Sequence, residues 1–502
     1  MRLRLEGRLA RLSGWRADLA AFLFGMIAAA ALPPVFALPV LLLSVPALLH
    51  LIDAAPGPRA AARRGWWFGF GVHLVGLYWV TEAILIEAAR FWWFVPIAVP
   101  ALAATLAVFI APAAALARLA VPGWPRVLAL GGAWVLGDVA RQFVLTGFPW
   151  NLWGSVWEFP GRLGDVFIQP AAWVSVHGLT LVTLLLAATP VLGWGSRLAG
   201  VALLVAWGAA GLVRLQSPLP AVNPGLQAVL VQGDIAEGQK WSQVLAMQIF
   251  NRYLELTREG VSAAGRGAKV VIWPETASPY LIDREPLARQ AIAEAAGGAP
   301  ALIGSVRFNA AGRPYNSLFA LNGSGDILGR YDKWHLVPFG EYQPDWVPLP
   351  VQVVPGGGFA RGRGPETLHV PGLSSFGAFI CYEAIFPGQV VNEADRPAWM
   401  VNITNDAWFG NSTGPRQHLA AARMRAVEEG LPLMRAANTG ISAAFDARGH
   451  ELGRIGIDRV GVIAVPLTEP MPPTLFSRVG LPLPIGLSIL ALVAGLLAYR
   501  WR

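Results

Sequence analysis

A single cysteine occurs in the 502 residues. Cys381 sits in the run Gly377-Ala378-Phe379-Ile380-Cys381-Tyr382-Glu383, an apolar strand pattern that ends abruptly in polar residues. A solitary thiol cannot close an internal disulfide, so it is either small buried packing or chemistry. Two other segments favour chemistry. Ile272-Trp273-Pro274-Glu275-Thr276 sets a carboxylate just past an apolar run, and the stretch from Tyr331 to Glu341 sets Lys333 in a second such turn. Acyl transfer from an ester needs a nucleophile, a base to take its proton, and positive charge where the carbonyl oxygen becomes an oxyanion. A thiol of pKa about 8.5 is mostly protonated at neutral pH, so a neighbouring base raises the reactive fraction as attack proceeds. Glu275 can be that base. Lys333, with a backbone N–H near Cys381, supplies the positive charge, a contribution worth about 10²- to 10³-fold in rate per oxyanion donor. The chain has three lysines, Lys240, Lys269 and Lys333, and Lys333 lies among aromatics and proline where a solvated lysine is out of place.

Residues that do such chemistry must be held by a scaffold, and composition places part of that scaffold in a membrane. Hydrophobic residues make up 55% of the chain and charged residues 14%, against about 25% charged in an ordinary soluble protein. From the N-terminus to about residue 215 the chain is a series of long apolar runs broken by short Arg- or Pro-bearing loops. Because about 20 apolar residues span a bilayer, the runs predict seven transmembrane helices, roughly over 17–32, 35–52, 66–86, 92–117, 124–145, 168–190 and 197–214. An eighth is expected over 480–498. Basic residues orient them: with the N-terminus cytoplasmic, 13 arginines fall on the inner side and only Arg90, Arg141, Arg162 and Arg214 in the outer loops before the large domain, a positive-inside bias. The segment between the seventh and eighth helices then lies on the outer side, with both termini cytoplasmic. The basic N-terminus is followed too closely by further helices, without a small-residue cleavage site, to be a removed signal peptide.

Of the net charge of +8, +7 falls before residue 223, so the basic character reports membrane topology and excludes nucleic acid as a partner. Fourteen of the 21 tryptophans precede residue 208, many near helix ends, as expected of an interfacial belt. Arg141, at the outer end of the fifth predicted helix, reads first as an interfacial anchor and second as a contact to a lipid phosphate.

From about Asn223 the texture changes to short β-branched runs separated by Gly, Pro and Asn. Strands are predicted over Leu226 to Gln232, Lys269 to Trp273, Ala301 to Arg307, Ser317 to Leu321, Phe376 to Cys381, Met400 to Thr404 and Ile441 to Phe445, with helices over Gln239 to Ala264, Glu285 to Ala296 and Arg416 to Glu429. That alternation implies a layered α/β domain. The apolar loop from Trp346 to Phe359 and the turn Asp406-Ala407-Trp408-Phe409-Gly410 read either as core packing or as a hinged lid for lipid chains. The domains are therefore expected at 1–215 (seven helices), 223–470 (catalytic, outer) and 480–498 (eighth helix).

The three candidate segments, with Gln232-Gly233-Asp234-Ile235, Lys240-Trp241, Tyr315-Asn316-Ser317, Asn402 through Phe409, and Thr146-Gly147-Phe148-Pro149-Trp150, resemble the nitrilase superfamily, and the chain as a whole resembles its membrane-embedded branch, the apolipoprotein N-acyltransferase family. The resemblance implies an αββα sandwich on the periplasmic face of a bacterial inner membrane. It also implies a phospholipid as acyl donor, a cysteine thioester as intermediate, and the N-terminal amine of the S-diacylglyceryl cysteine of an apolipoprotein as acceptor. Carried over by residue, it makes Cys381 the nucleophile, Glu275 the base and Lys333 the oxyanion stabiliser. Glu341, Tyr382 and Glu383 become supporting active-site residues, and Trp241 and Trp408 substrate-binding aromatics near the entrance.

No cofactor is called for, and the seven histidines show no metal-ligand spacing. Gly356-Gly357-Gly358 lacks the Lys-Ser/Thr of a phosphate loop. Two rival functions use the same residues differently. A membrane-tethered amidase would use the triad but needs one anchor helix, not eight. A transporter with an outer binding domain would need several intramembrane ionisable residues, and Asp138 is the main candidate.

Overall fold

The structure is a computed structural model that describes residues 9, 11–86, 88–218, 226–240, 242–344 and 358–498. The chain divides into two units, Pro218–Arg478 and the pair of segments Met1–Ser217 and Val479–Arg502.

Among the described residues of the unit Pro218–Arg478, twelve strands form two sheets: β1 Leu226–Gln232, β2 Ala268–Ile272, β3 Ala301–Phe308, β4 Pro314–Leu321, β5 Ile327–Asp332, β6 Thr367–Leu368, β7 Phe376–Ile380, β8 Trp399–Thr404, β9 Leu433–Ala437, β10 Ser442–Phe445, β11 Glu451–Ile455 and β12 Gly461–Pro466. One sheet runs β12-β1-β2-β3-β4-β5 and the other β11-β10-β9-β8-β7-β6. The middle of each is parallel, β1 to β3 and β7 to β9, and the edges are antiparallel.

Side chains alternate across each strand, and the central strands are apolar on both faces. In β1, Ala228 and Leu230 join Val270, Ile272, Ala378, Ile380, Val401, Ile403 and Ala436 in one core that both sheets share. Val229 and Val231 point the other way, with Val271, Trp273 and Ile303, into a second core closed by Ile249, Phe250 and Tyr253 of helix Ala246–Ala263 and by Ile292 of helix Pro286–Ala295. On the far sheet, Phe379, Met400, Leu433 and Phe445 meet Leu419, Ala422 and Ala426 of helix Gly414–Glu429. Three cores between four layers make an α-β-β-α sandwich. The helix expected over Gln239 to Ala264 is in two pieces, Glu237–Lys240 and Ala246–Ala263, with a turn between them. The loop expected from Trp346 to Phe359 lies outside the described residues up to Gly357.

The other unit is helical. Among the described residues, four helical stretches are long and apolar enough to cross a membrane: Gly14–Ala31, Ala88–Leu119, Ala171–Val191 and Trp194–Gln216. Leu38–Asp53 and Pro482–Leu497 are shorter apolar helices. Two further helices overlap expected spans but carry more charge, and the span expected over 66–86 is divided between Pro58–Gly76 and Val80–Leu85. Pro58–Gly76 starts eight residues before the span expected from residue 66 and so takes in Arg59, Arg63 and Arg64. Trp124–Phe143 contains Arg126, Asp138 and Arg141. Glycine lets these helices close on their neighbours, as small residues do where lipid supplies no hydrophobic drive. A Cβ on Gly71 would fall 2.2 Å from the Phe22 carbonyl oxygen, and one on Gly132 2.4 Å from that of Ser488.

Arg141 differs from its expected place at a lipid interface. It is buried against Asp138, with Nη2 to Oδ1 at 3.0 Å, because the i,i+3 spacing turns both side chains to one face of the helix. Asp138, on which a transport path would have relied, is thus committed to a neighbouring arginine.

Candidate active site

Ligands of layered α/β folds gather at the carboxyl ends of parallel strands, and three such ends converge here. Glu275 follows β2, Cys381 follows β7 and Asn405 follows β8, while Lys333 follows the edge strand β5. Two of these turns use left-handed backbone at non-glycine residues, φ +44° at Thr276 and +50° at Cys381, and Phe339, between Lys333 and Glu341, has φ +64°. Such conformations persist where surrounding contacts over-determine them. The Glu275 turn also needs glycine opposite, since a Cβ on Gly304 of β3 would stand 2.0 Å from the Pro274 carbonyl oxygen.

Glu275 is buried, and each of its carboxylate oxygens has donors. Oε1 accepts from Asn316 Nδ2 at 2.6 Å and Lys333 Nζ at 3.1 Å, and Oε2 accepts from the Asn405 N–H at 2.7 Å. Lys240 Nζ donates to the Glu275 main-chain carbonyl at 3.1 Å. Burial opposes ionisation, but Lys333, Lys240 and the Asn316 amide outweigh it and hold the carboxyl below its ordinary value. It is a carboxylate ready to accept a proton.

Lys333 is 1% exposed and bridges two carboxylates, Glu275 Oε1 at 3.1 Å and Glu341 Oε1 at 2.9 Å. Burial would favour the neutral amine, yet Glu275 and Glu341 raise its pKa well above the ordinary lysine value, so the ammonium is fixed. The neighbouring residue anchors it from the strand: Asp332 accepts Arg307 Nε at 2.8 Å and Arg307 Nη2 at 2.5 Å, with Ser317 Oγ at 2.7 Å. Glu341 is itself held by the Val337 N–H, at 2.8 Å on Oε2. Glu341, expected as a supporting residue, thus stands in direct contact with Lys333.

Cys381 opens a short 3₁₀ turn, Cys381–Ile385, and its side chain is buried, 6% exposed. Burial and then the charge of Glu275 push its thiol pKa up, with Lys333 acting in the opposite sense. The thiol is therefore neutral at rest, and a thiol in that state needs a base before it can attack. Thr404 is within hydrogen-bonding reach of the thiol.

Glu383 has a different place from the other carboxylates. Its oxygens accept the Trp334 and His335 N–H groups (2.8 and 3.1 Å), the Tyr331 hydroxyl (2.9 Å) and the Ile380 N–H (2.5 Å). One side chain therefore ties the lysine turn to the cysteine turn. Burial raises its carboxyl to about 7 in spite of those backbone donors. Tyr382 is buried, its ring edge-on to Phe386 at 5.3 Å. Trp408 is 39% exposed, in the turn Asp406–Phe409, and Trp241 lies outside the described residues.

Sequence reasoning gave no role to Asn316, Lys240 or Asn405, although all three stood in quoted segments. Their function is to hold Glu275, and no spacing rule announces it. His418 and Arg435 went unnoticed because each is a polar residue inside an otherwise apolar or mixed element. Cys381, Asp406 and His418 each present a ligand atom within 4.8 Å of one another, but Arg435 Nη2 already donates to Asp406 at 2.8 Å. A guanidinium occupies the cation's role there.

Both parts of the chain resemble known proteins. Residues 227–468 match the carbon-nitrogen hydrolase family, and residues 24–189 match the apolipoprotein N-acyltransferase N-terminal domain. An apolipoprotein N-acyltransferase of Bradyrhizobium diazoefficiens is 38% identical over 520 residues, covering 97% of this chain and 96% of that protein. One from Brucella suis biovar 1 is also 38% identical, over 94% of this chain and 93% of its own. The chain belongs to the apolipoprotein N-acyltransferase family. The N-terminal helices and the nitrilase-like α/β domain are the two parts of one enzyme, so the tethered amidase and the transporter fall away as readings of the whole chain. A crystal structure of an amidase from Nesterenkonia sp. matches with 18% identity over 50% of this chain and 93% of its own, at a TM-score of 0.37.

Proposed function

We propose that this acyltransferase takes an acyl chain from a phospholipid onto Cys381 and passes it to the N-terminal amine of S-diacylglyceryl cysteine in an apolipoprotein, completing lipoprotein maturation. The observation that carries the site assignment is the environment of Glu275. It is an ionised, buried carboxylate with Lys333 on one oxygen and the Asn405 N–H on the other, electrostatically coupled to a buried neutral thiol.

In the first half-reaction Glu275 takes the Sγ proton as sulfur attacks the ester carbonyl. Negative charge builds on the carbonyl oxygen, where the Lys333 ammonium stabilises it. The C–O bond then breaks, and the lysophospholipid alkoxide leaves with the proton from Glu275, giving a thioester on Cys381. In the second half-reaction the acceptor's neutral α-amine attacks the thioester, Glu275 takes its proton, and the Cys381 sulfur leaves and recovers that proton. Trp408 and Trp241 serve the apolar entrance in this reading, and Glu341, Tyr382 and Glu383 support the turns.

A thioester also reacts with water, so a transferase must deny water a good approach while it holds an amine close. A nucleophile 6% exposed suits that need. With phospholipid alone, lysophospholipid release by the purified protein should stop near one equivalent per enzyme, with the acyl group on Cys381. Adding a peptide with an N-terminal S-diacylglyceryl cysteine should restart turnover and yield the N-acylated peptide, a ping-pong pattern. Continuous release of free fatty acid without peptide would count against the transfer step.

The same reading sets residues 1–215 and 480–498 in a bacterial inner membrane as eight spans, and residues 223–470 on the periplasmic side. The arginine distribution supports it. A reporter inserted near Arg266 should read the periplasm and one fused after Arg502 the cytoplasm; finding both on one side would mean an odd number of spans between them is wrong.

A further inference from the structure

One buried hydroxyl beside Cys381 takes no part in the steps above. β7 and β8 run parallel with Ile380 opposite Ile403, so Thr404, the next residue of β8, stands beside Cys381 where both strands end. Thr404 is fully buried, and its hydroxyl is within hydrogen-bonding reach of the thiol. The same Oγ1 donates to Asp406 Oδ1 at 3.0 Å, and a carboxylate oxygen of Asp406 lies within 4.8 Å of Sγ. Thiol, hydroxyl and carboxylate thus stand in a row. Asp406 is fixed at its end. Arg435 Nη2 donates to Oδ2 at 2.8 Å, and the guanidinium continues to the Ile441 carbonyl through Nε at 3.2 Å and to Asn402 Oδ1 through Nη1. The carboxylate fits there because residue 440 is glycine, where a Cβ would stand 2.2 Å from Oδ2.

Asp406 is ionised: burial opposes this, but Arg435 leads the contacts that bring its carboxyl down to about 2. His418 Nδ1 lies 2.8 Å from Oδ1 as well, and an ionised carboxylate has lone pairs to spare for the hydroxyl beside it. A hydroxyl has one hydrogen and two lone pairs. A carboxylate oxygen draws that hydrogen more strongly than a neutral sulfur does, so at rest it lies on Asp406 and a lone pair of Oγ1 meets the thiol S–H. Branching at Cβ holds the threonine oxygen in place and leaves the O–H direction free to turn. As the Sγ proton passes to Glu275, negative charge grows on sulfur, and the hydroxyl hydrogen swings from Asp406 to Sγ while Asp406 keeps Arg435. The S–H bond breaks and its proton goes to Glu275, whereas the Oγ1 hydrogen stays on oxygen throughout. The same swing recurs when the thioester C–S bond breaks and sulfur leaves with its electron pair.

We propose that Thr404 is a further catalytic residue, whose hydroxyl, oriented by Asp406, accepts the Cys381 S–H at rest and donates its own hydrogen to the sulfur in both half-reactions. This rests on Cys381 being the nucleophile, and one arm of its test reads the thiol without turnover.

Cys381 is the one cysteine of the chain, so the Raman S–H stretching band of the full-length protein belongs to it alone. In the unchanged protein the band should lie below the position of a thiol in apolar solvent, as for a donated S–H. In Thr404→Val, which has the shape of threonine without its hydroxyl, the band should move up to that position. A band at the free position in the unchanged protein, or one that stays in place in folded Thr404→Val, overturns the proposal. Given phospholipid and then the S-diacylglyceryl cysteine peptide, Thr404→Val should form the acyl-enzyme and discharge it each about tenfold more slowly, the scale of a hydrogen bond to a charged atom, with the half-saturating phospholipid concentration unchanged. Thr404→Ser keeps the hydroxyl and should restore the low band and most of both rates. A threonine that merely packs would behave in the opposite way, tolerating valine and suffering from the missing methyl of serine, and that pattern overturns the proposal. Should Thr404→Val not fold, Thr404→Ala is read in the same way. Failure of the nucleophile assignment would look different: Cys381→Ala would still transfer acyl chains, while the S–H band would answer to Thr404 as before.

Discussion

Replacing Cys381 by alanine should end acyl transfer, lowering it by roughly 10⁴-fold or more, the scale on which removing a nucleophile acts, and should leave no acyl group on the protein. The fold should survive. Cys381 opens a turn whose geometry is held by the His418 bond to its carbonyl and by Glu383 on the Ile380 N–H, neither of which uses sulfur. The missing atom leaves a small cavity, costing about 1 kcal/mol, and alanine carries the same Cβ as cysteine, so the strain of φ +50° does not change. Intact mass after incubation with phospholipid reads the covalent step, and lysophospholipid appearance reads donor cleavage. Cys381→Ala that still released lysophospholipid at a substantial rate would mean that another group attacks the ester, and the thioester route would have to be abandoned.

Cys381, Glu275 and Lys333 were legible as a set because each terminates a strand whose apolar character the sequence announces, and because the chain has one cysteine and three lysines. The strand of each sheet that carries Glu275 or Cys381 was legible for the same reason. Edge strands were not. β5, Ile-Leu-Gly-Arg-Tyr-Asp, and β11, Glu-Leu-Gly-Arg-Ile, have exposed faces and charges, which blur a period of two. β9 was missed for the opposite reason: it is fully buried, but its Arg435 reads as polar and its alanines favour helix. That arginine lies inside because Asp406, Asn402 and the Ile441 carbonyl satisfy it, a set of partners brought together only by folding. The helix expected from Gln239 failed at its start, where Lys240 turns inward to the Glu275 carbonyl, a tertiary bond that outweighs local helical pattern. In the helical region, counting apolar residues placed Arg63 and Arg64 in a loop, whereas helix Pro58–Gly76 includes both. Arg64 is buried and donates to the Leu51 carbonyl, and Arg63 pairs with Asp18. Intramolecular partners allow charge inside a helix that hydropathy alone would end.

Glu275→Gln should lower formation of the acyl-enzyme by about 10²- to 10⁴-fold, the range for a lost general base, and its remaining activity should acquire a new dependence on pH. Glutamine has the size of glutamate and keeps one oxygen for the Asn405 N–H, while Lys333 retains Glu341 as a charged partner at 2.9 Å; the site should therefore remain assembled. What is lost is proton acceptance. In the unchanged enzyme the folded-state carboxyl lies below its ordinary value, so Glu275 is ionised throughout the neutral range and acylation should be flat there. A carboxylate with a depressed pKa stabilises the fold above its unfolded value and loses that contribution as pH falls through the folded one. The acid limb of activity should accordingly lie below about pH 4.3, the value for free glutamate. In Glu275→Gln the thiol must instead lose its proton to solvent, and burial has raised its pKa far above neutrality. The thiolate fraction then grows about tenfold for each unit of pH, so acylation measured between pH 7 and 9 should climb with a slope near one on logarithmic axes. A profile as flat as that of the unchanged enzyme, at any rate, would show that some other group takes the proton; a rate close to normal would remove Glu275 from the chemistry and leave it as the partner that keeps Lys333 charged.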